Sequence, residues 1–343
     1  MSVALIALGA VLLLALVFDV LWTVVASGAG GGPLTGRLAA VLWRLALRAG
    51  RGAEGPRHRF LAFSGVAVVV VLLVVWILVA WGAWWLIFSA SKGAVRVVAD
   101  GRPASLVQRL WFAGDGVFTS TSNDLATGAG AWRATRVAIT ATGLIFITLA
   151  ITYLIPVASA AAERRQLAAY VTSLGPTSEA LVTRAWAGDG FGSLAQHFVA
   201  LTSMVQLSAQ RHLTYPVLHY FHSSSERTAA AVSYVVLDEA ITLLRWGVAP
   251  AARPDPAAVV PLGDAVGLFL ETIRTTFVTD FGEPLDLPDL GVLREAGIPV
   301  VDDEEFAAAL DGQKDRRCLL AGLLRDDGWS QDAWQRWRAR AGS

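Results

Sequence analysis

The sequence predicts an all-α membrane protein that crosses the bilayer three times and continues into a helical, water-soluble C-terminal half. Two observations carry this prediction. Hydrophobic residues make up 55% of the 343 residues and charged residues only 16%, whereas a soluble globular chain has about 25% charged residues. Three long apolar runs lie before residue 163, and the residues after it show the apolar spacing of amphipathic helices.

The charges divide between the two halves. Residues 1–162 hold 12 Lys and Arg against 5 Asp and Glu, and residues 163–343 hold 16 against 23. The acidic balance of the second half argues against nucleic acid as a partner. The single cysteine, Cys318, excludes an intramolecular disulfide.

The first apolar run covers residues 3–27 and contains one charge, Asp19. A cleaved signal peptide is the competing interpretation, because Ala26-Ser27-Gly28 looks like a cleavage site. No Lys or Arg precedes the run, however, and it is longer than the ~7–15 apolar residues of a signal-peptide core. We therefore predict a retained transmembrane helix.

Two further runs predict two further spans. Residues 60–90 contain no charge in 31 positions, and at about 1.5 Å per residue they exceed a ~30 Å hydrocarbon core. Residues 137–162 contain none in 26 positions. Between the first two runs, residues 34–48 place arginines among leucines at helical spacing, which predicts an amphipathic helix on the membrane surface.

The basic residues around the runs predict the orientation. The segments 28–59 and 91–136 carry six basic residues each and therefore favour neither orientation. Under the positive-inside rule, the pair Arg164-Arg165 then determines the predicted orientation. This pair predicts a cytoplasmic C-terminus. The expected location is the plasma membrane, with the lipid bilayer as the surrounding partner.

Residues 105–126 lie between the second and third runs, and their apolar part is too short for a span. The 14 residues 105–118 are mostly apolar with helical spacing, and as a helix they reach only ~20 Å. The next six residues carry only hydroxyl, amide and carboxylate side chains: Thr119, Ser120, Thr121, Ser122, Asn123 and Asp124. A short helix and a polar return loop predict a re-entrant pore loop, because such backbone needs protein or water around it at membrane depth.

This order of span, short helix, polar loop and span resembles the two-transmembrane pore module of potassium channels, with an extra N-terminal helix. The likeness is greatest to bacterial membrane proteins of the ion channel pore family that carry a long helical C-terminal extension. It reaches to about residue 246. The sequence patches that carry it are FDVLWTV at 18–24, GGGPLT at 30–35, WFAG at 111–114, FT at 118–119, LAITYLIPV at 149–157, ERRQLAAY at 163–170 and QRHL at 210–213.

The resemblance implies four regions and an assembly. Residues 1–59 would hold the N-terminal span and the amphipathic helix, and 60–162 the pore module. Residues 163–250 would form a cytoplasmic helical domain and 251–343 a C-terminal helical extension. The resemblance also implies a homotetramer and a permeating monovalent cation, potassium in the resembled family, with no bound cofactor.

The candidate selectivity filter departs from the family pattern Thr-x-Gly-x-Gly-Asp. Thr119 and Asp124 match it, but Thr121 and Asn123 replace the two glycines. Glycine permits the positive φ angles that align successive carbonyls with the pore axis, and a β-branched threonine resists them. We therefore expect a wider, wetter ring that discriminates weakly between potassium and sodium.

A stripe of small and hydroxylated residues follows one face of the third run: Ala141, Thr148, Thr152 and Ser159. Pro156 frees the carbonyl of Thr152, because proline lacks the backbone donor. Such a stripe suits either a water-filled cavity or tight packing of helices. Thr148, Thr152 and Ser159 are therefore the candidate pore-lining residues, with close packing as the alternative.

Asp19 is the candidate intramembrane functional acid, because ionisable groups are rare inside a bilayer. The alternative is a position near the interface. There, Trp22 and Thr23 would cap the carboxylate, or an arginine of the following helix would pair with it. Both interpretations stay open at this stage.

The soluble half reads as helices at 177–187, 193–213, 216–223, 225–247, 261–279, 289–297, 303–325 and 330–341, with a proline-rich linker at 248–261. Three histidines cluster in sequence: His212, His219 and His222. A metal site would need Asp238 or Glu239 as a further ligand, and the aromatic surroundings favour core histidines instead. Neither a catalytic set nor a metal site is predicted, so an enzyme is not expected.

Two function classes follow. The first is a tetrameric cation pore of low selectivity, in which Asp115 and Asp124 place negative charge near the pathway. The second is a non-conducting membrane-anchored scaffold or sensor that uses its helical domain to bind a cytoplasmic partner. The two missing glycines are the feature that favours the second class.

Overall fold

A computed structural model describes residues 2–25, 31–50, 54–120, 123–276, 281 and 283–342. The described chain is predominantly helical with one short antiparallel strand pair, which confirms the all-α class. It forms two compact units. The first contains the described residues of 1–27, 31–40 and 67–157, and the second contains those of 41–66 and 158–343.

The described residues up to Leu174 form five helices and two short strands. They are α1 (Val3–Val25), α2 (Pro33–Ala49), α3 (Glu54–Ser89), β1 (Val95–Val97), α4 (Leu106–Val117), β2 (Leu125–Thr127) and α5 (Ala131–Leu174). Leu16 and Val20 of α1 pack with Trp76 of α3 and Phe146 of α5. Gly9 lets α1 approach α3 closely, since a Cβ there would lie 2.6 Å from the carbonyl oxygen of Ala83.

The remaining helices belong to the second unit. They are α6 (Ser178–Ala185), α7 (Leu194–Thr214), α8 (Ala230–Thr242), α9 (Pro256–Thr276), α10 (Leu290–Glu295), α11 (Asp303–Asp311), α12 (Lys314–Asp326) and α13 (Gln331–Gly342). One hydrophobic core runs through them, from Leu167 to Trp337. Every residue of α8 is buried, so this helix forms the centre of the unit.

Four described helices are long and apolar enough to cross a membrane: α1, residues 56–89 of α3, α5 and residues 256–274 of α9. The three predicted spans are among them. The fourth, α9, also contributes Leu262, Val266, Phe269 and Ile273 to the core of the second unit. The multi-pass membrane character predicted from the sequence is thus supported by helices that the structure describes.

The third apolar run is only part of its helix. Residues 137–162 were expected as one span, whereas α5 is 44 residues long and extends from Ala131 to Leu174. Charged residues end the apolar run at Glu163 but do not end a helix. The helix ends before Gly175-Pro176, as the sequence predicted, because proline disfavours helical backbone in the residue before it.

Several predictions in the soluble half need correction. The linker at 248–261 is shorter than predicted, because α9 begins at Pro256 and includes Pro261; Pro256 fits the first helical turn, where donors lack partners anyway. The predicted helix 303–325 is two helices, separated at Gly312 and Gln313. The predicted helix 225–247 consists of a short 3-10 turn, α8 and a final π-type turn. The strands β1 and β2 were not predicted.

Candidate functional site

Helix α4 lies against α3 and runs antiparallel to it. A capping box begins α4: the Ser105 hydroxyl accepts from the Gln108 backbone N–H, and the Gln108 side chain accepts from the Ser105 N–H. Trp85 of α3 donates to the carbonyl of Leu106 at 3.0 Å, and Trp81 donates to that of Leu110 at 2.7 Å. The start of α4 therefore lies near the end of α3.

The other side of α4 packs on α5. The guanidinium of Arg136 lies 4.6 Å from the ring centroid of Phe112. A Cβ at Gly116 would lie 2.8 Å from Ile139 atoms, and one at Gly143 would overlap the carbonyl oxygen of Val117. These close approaches hold the C-terminal end of α4 beside residues 139–143, in the first part of the apolar run of α5.

After α4 the chain returns to the side on which α4 began, beside the C-terminal end of α3 and the N-terminal end of α5. Strand β2 pairs antiparallel with β1, with Arg96 opposite Ala126. The Val98 N–H donates to the carbonyl of Asp124 at 2.9 Å. Because β1 follows α3 and β2 precedes α5, this pair joins the two ends of the entering segment.

The predicted filter residues lie at the turn of this segment. Thr119 has a φ of +55°, the only positive φ of a non-glycine residue in the described chain. Its neighbour Ser120 donates to Asp115 at 2.9 Å. Both are exposed, as are Asn123 and Asp124. Thr121 and Ser122, which complete the predicted filter, lie outside the described residues.

The predicted pore-lining residues Thr148, Thr152 and Ser159 are all exposed on α5. The Thr148 hydroxyl donates to the carbonyl of Leu144 and that of Thr152 to the carbonyl of Thr148, each at 2.9 Å. The hydroxyl donors of Thr148 and Thr152 are therefore satisfied within the helix. Each hydroxyl oxygen keeps lone pairs that can accept from water or face a cation.

Asp19 binds the first turn of α2. Its Oδ1 accepts from the Leu34 N–H at 2.7 Å, and its Oδ2 accepts from the hydroxyl and, at 3.2 Å, the N–H of Thr35. Trp76 of α3 donates to the same Thr35 hydroxyl at 3.0 Å. The Thr23 hydroxyl donates to the Asp19 backbone carbonyl rather than to its carboxylate. The hydrogen-bond partner of this carboxylate is thus a helix N-terminus, whereas the sequence had offered a cap by Trp22 and Thr23 or an arginine.

The three sequence-predicted histidines lie in packed surroundings. His212 and His219 meet edge to face at 5.9 Å, and His212 also contacts Phe269. Burial, together with the positive charge of Arg164, lowers the pKa of His212 well below its ordinary value. Asp238 binds Arg316 at 2.8 Å, and no group of three metal-ligating side chains occurs among the described residues.

His222 belongs to a cluster that sequence reasoning missed. Its Nε2 lies 2.8 Å from Nδ1 of His58, and its Nδ1 lies 3.4 Å from Oδ2 of Asp327. The indole of Trp329 donates to Asp327 at 3.1 Å and its ring stacks on His58 at 3.9 Å. His58 and His222 are 164 positions apart in the chain, so no local pattern could have paired them.

Comparison with known proteins gives one informative relative. The chain is 32% identical over 317 residues, which cover 92% of both chains, to the Bacillus subtilis (strain 168) protein named "Uncharacterized membrane protein YdjJ". No protein-family model matches the sequence. No solved structure matches it either.

Proposed function

The chain belongs to the same family as the membrane protein YdjJ of Bacillus subtilis, and we propose that it forms a pore for monovalent cations. The pore would be built by residues 60–162, with α4 and the following polar turn as its narrow part. The observation that carries the proposal is the depth at which α4 ends.

The end of α4 lies well inside the apolar runs. Gly114 is placed against Trp81, which is eight residues before the end of α3, or about 12 Å along the helix axis. Val117 is placed against Gly143, which is six residues inside the third apolar run. Exposed polar groups such as Thr119 and Ser120 are tolerated at such a depth only beside water or other protein, and a pore supplies water.

The local charge favours cations. The carbonyl end of a helix carries a partial negative charge, and α4 ends directly before Thr119. Asp115 lies in the last turn of α4 and Asp124 follows the polar turn. Several copies of these carboxylates around one axis would raise the local cation concentration.

A closed pathway needs several copies of the module, and we propose a homotetramer in line with the potassium-channel resemblance. The face of α5 that carries Thr148 and Thr152 is exposed in the single chain. In a tetramer this face would line the pathway below the polar turn. Its hydroxyl oxygens would then meet water rather than lipid.

Selectivity between potassium and sodium would be weak. Strong selectivity of this type relies on rings of backbone carbonyls that replace the ion's hydration shell. Thr121 and Asn123 stand where the resembled filter has glycines. Hydroxyl, amide and carboxylate groups would instead coordinate partly hydrated ions.

The test is a reversal potential measured on the purified protein in planar bilayers under a potassium/sodium gradient. We expect cation current with a reversal potential near zero. Asp124→Asn should lower the current, whereas Asp100→Asn, which removes an exposed carboxylate bonded to Arg102, should not. The double variant Thr121→Gly, Asn123→Gly should shift the reversal potential towards that of potassium.

Three results would count against this proposal. A reversal potential at the potassium equilibrium value in the wild type would show strong selectivity without the glycines. Equal losses of current in Asp124→Asn and Asp100→Asn would remove the role of Asp124. A folded protein without current would favour the second function class, a membrane-anchored scaffold or sensor that binds a cytoplasmic partner.

A further inference from the structure

A cavity of about 210 Å³ with both polar and apolar lining residues lies within the second unit. Its polar lining residues come from the end of the apolar run of α5, from the segment after the 3-10 turn 216–220 and from the approach to α8; they are Arg164, Arg165, His222, Ser223, Ser224 and Thr228. Pockets for drug-sized ligands measure about 300–1,000 Å³. This cavity suits a smaller group.

Arg164 gives the cavity a buried positive charge. Only 6% of its surface is exposed, and it donates one guanidinium hydrogen bond to the carbonyl of Leu218. Its Nε is buried without a hydrogen-bond partner, and no described carboxylate forms an ion pair with it. The adjacent carboxylate of Glu163 is bound by Arg211 at 3.2 Å. A buried charge without a counter-charge is costly, and an anion bound in this cavity would offset that cost.

The N-terminus of α8 adds further donors. Thr228 and Ala230 line the cavity at the start of this 13-residue helix. No side chain caps it and its first turn contains no acidic residue. The first backbone N–H groups of a helix have no partner within the helix and carry a partial positive charge, which makes such an end a site for phosphate and other anions.

We propose that this cavity binds a phosphate group. Arg164 and Arg165 would supply the charge, and Ser224 with the first turn of α8 would supply neutral donors. Arg165 and Ser224 are exposed and give access to the site. His222 would face the anion while its ring nitrogens contact His58 and Asp327.

The apolar lining places the cavity at the level of lipid headgroups. Ala62 and Val66 come from the beginning of the second apolar run, and Ala161 comes from the end of the third. Basic pockets at this level of membrane helices bind anionic headgroups. The phosphate could therefore belong to an anionic phospholipid or to a small soluble molecule, and the two arms of the experiment separate these sources.

The first arm uses the detergent-solubilised protein and follows thermal unfolding by tryptophan fluorescence. Inorganic phosphate is titrated against chloride at equal ionic strength. The second arm compares nanodiscs of pure phosphatidylcholine with nanodiscs that also contain phosphatidylglycerol. A higher Tm in only one arm supports the site and identifies the source of the phosphate group. A higher Tm in both arms supports a site that accepts either source. An unchanged Tm in both arms overturns it.

Matched arginine variants locate the effect. Arg165→Gln should weaken the apparent affinity for the stabilising anion about tenfold, as expected for the loss of one charge-assisted hydrogen bond. Arg184→Gln removes an exposed arginine of α6 outside the cavity and should leave the affinity unchanged. Equal affinities in these two variants and the wild type would overturn the proposal.

Arg164→Gln distinguishes a ligand site from a structural arginine. We expect this variant to lose the Tm increase caused by the anion and to match or exceed the wild-type Tm in chloride, because it removes an unpaired buried charge. If Arg164 only supports the fold through Leu218, the Tm should fall equally with and without the anion. That second result would contradict the proposal.

Discussion

Oδ1 of Asp19 on α1 accepts a hydrogen bond from the backbone N–H of Leu34, 2.7 Å away in the first turn of α2. The carboxylate thus caps the N-terminus of a helix whose bonded residue lies 15 positions further along the chain. Thr23 extends the connection, since its hydroxyl accepts from the Gly32 N–H at 2.9 Å. This contact explains structurally why the apolar run contains the acidic residue Asp19.

Replacing Asp19 should therefore destabilise the first unit. We expect Asp19→Ala to lower the free energy of unfolding by about 2 kcal/mol, the upper range for a lost N-cap. Asp19→Asn should cost about 1 kcal/mol, because the amide keeps one acceptor. Thermal unfolding of the solubilised protein measures both. The exposed Asp100→Asn is the control, and an Asp19→Ala variant as stable as this control would contradict the capping role.

Two glycines in apolar helices form a second matched test. A Cβ at Gly143 of α5 would overlap the Val117 carbonyl, whereas a Cβ at Gly82 of α3 would meet nothing within 4 Å. Gly143→Ala should therefore cost about 2 kcal/mol through overpacking. Gly82→Ala should be neutral or stabilising by up to ~1 kcal/mol, since alanine favours helix. Equal Tm values for the two variants would show that α4 does not pack against α5 in this way.

The sequence predicted well what depends on local pattern. The apolar helices, the short helix before Thr119 and the helix end at Gly175-Pro176 follow from composition, periodicity and proline sterics. It could not predict contacts between distant segments. The capping of α2 by Asp19 and the pairing of His58 with His222 depend on how helices meet. The length of α9 was missed because Pro256 and Pro261 indicated a linker, while burial of its apolar face against the core outweighed them.

His219 should make the second unit sensitive to acid. Burial lowers its pKa to about 4; Asp327 acts in the opposite direction and Arg164 adds to the lowering. The unfolded chain then binds more protons than the folded one between pH about 6.5 and 4. The contribution of His219 to the free energy of unfolding therefore falls as the pH falls. Over this window the wild type should lose on the order of 3 kcal/mol relative to His219→Asn. Parallel stability curves for the two proteins would contradict this.

Glu239 should give the opposite dependence of stability on pH. Burial raises its pKa to about 7; the nearby Arg338 opposes this shift and Glu179 adds to it. The folded chain therefore holds the extra proton between pH about 4.5 and 7, and the wild type loses stability as the pH rises through this window. Glu239→Gln should be more stable than the wild type by on the order of 3 kcal/mol at pH 8.5 and equal to it near pH 4.5. Glu271→Gln, at an exposed position on α9, should show no such crossover.

Thr119 combines a strained backbone with an exposed hydroxyl, and variants can separate the two. Its φ of +55° is unfavourable for a β-branched residue, and residues held in such conformations cost about 1–3 kcal/mol and cluster at functional sites. Thr119→Gly should therefore raise the free energy of unfolding by about 1 kcal/mol, whereas Thr119→Val should leave it unchanged or lower it. Thermal unfolding of the solubilised variants measures this effect of backbone strain on stability, whether or not the protein conducts.

The hydroxyl of Thr119 is tested by current. If it coordinates permeating cations, Thr119→Gly and Thr119→Val should both reduce the current in planar bilayers, although their stabilities change in different directions. Thr119→Ser retains the hydroxyl and should conduct like the wild type. A Thr119→Gly variant that is stabilised and conducts normally would show that the backbone turn, and not the hydroxyl, is what this position contributes. A loss of current in all three variants would show that neither group suffices alone, because valine retains the methyl group of Thr119 and serine retains its hydroxyl.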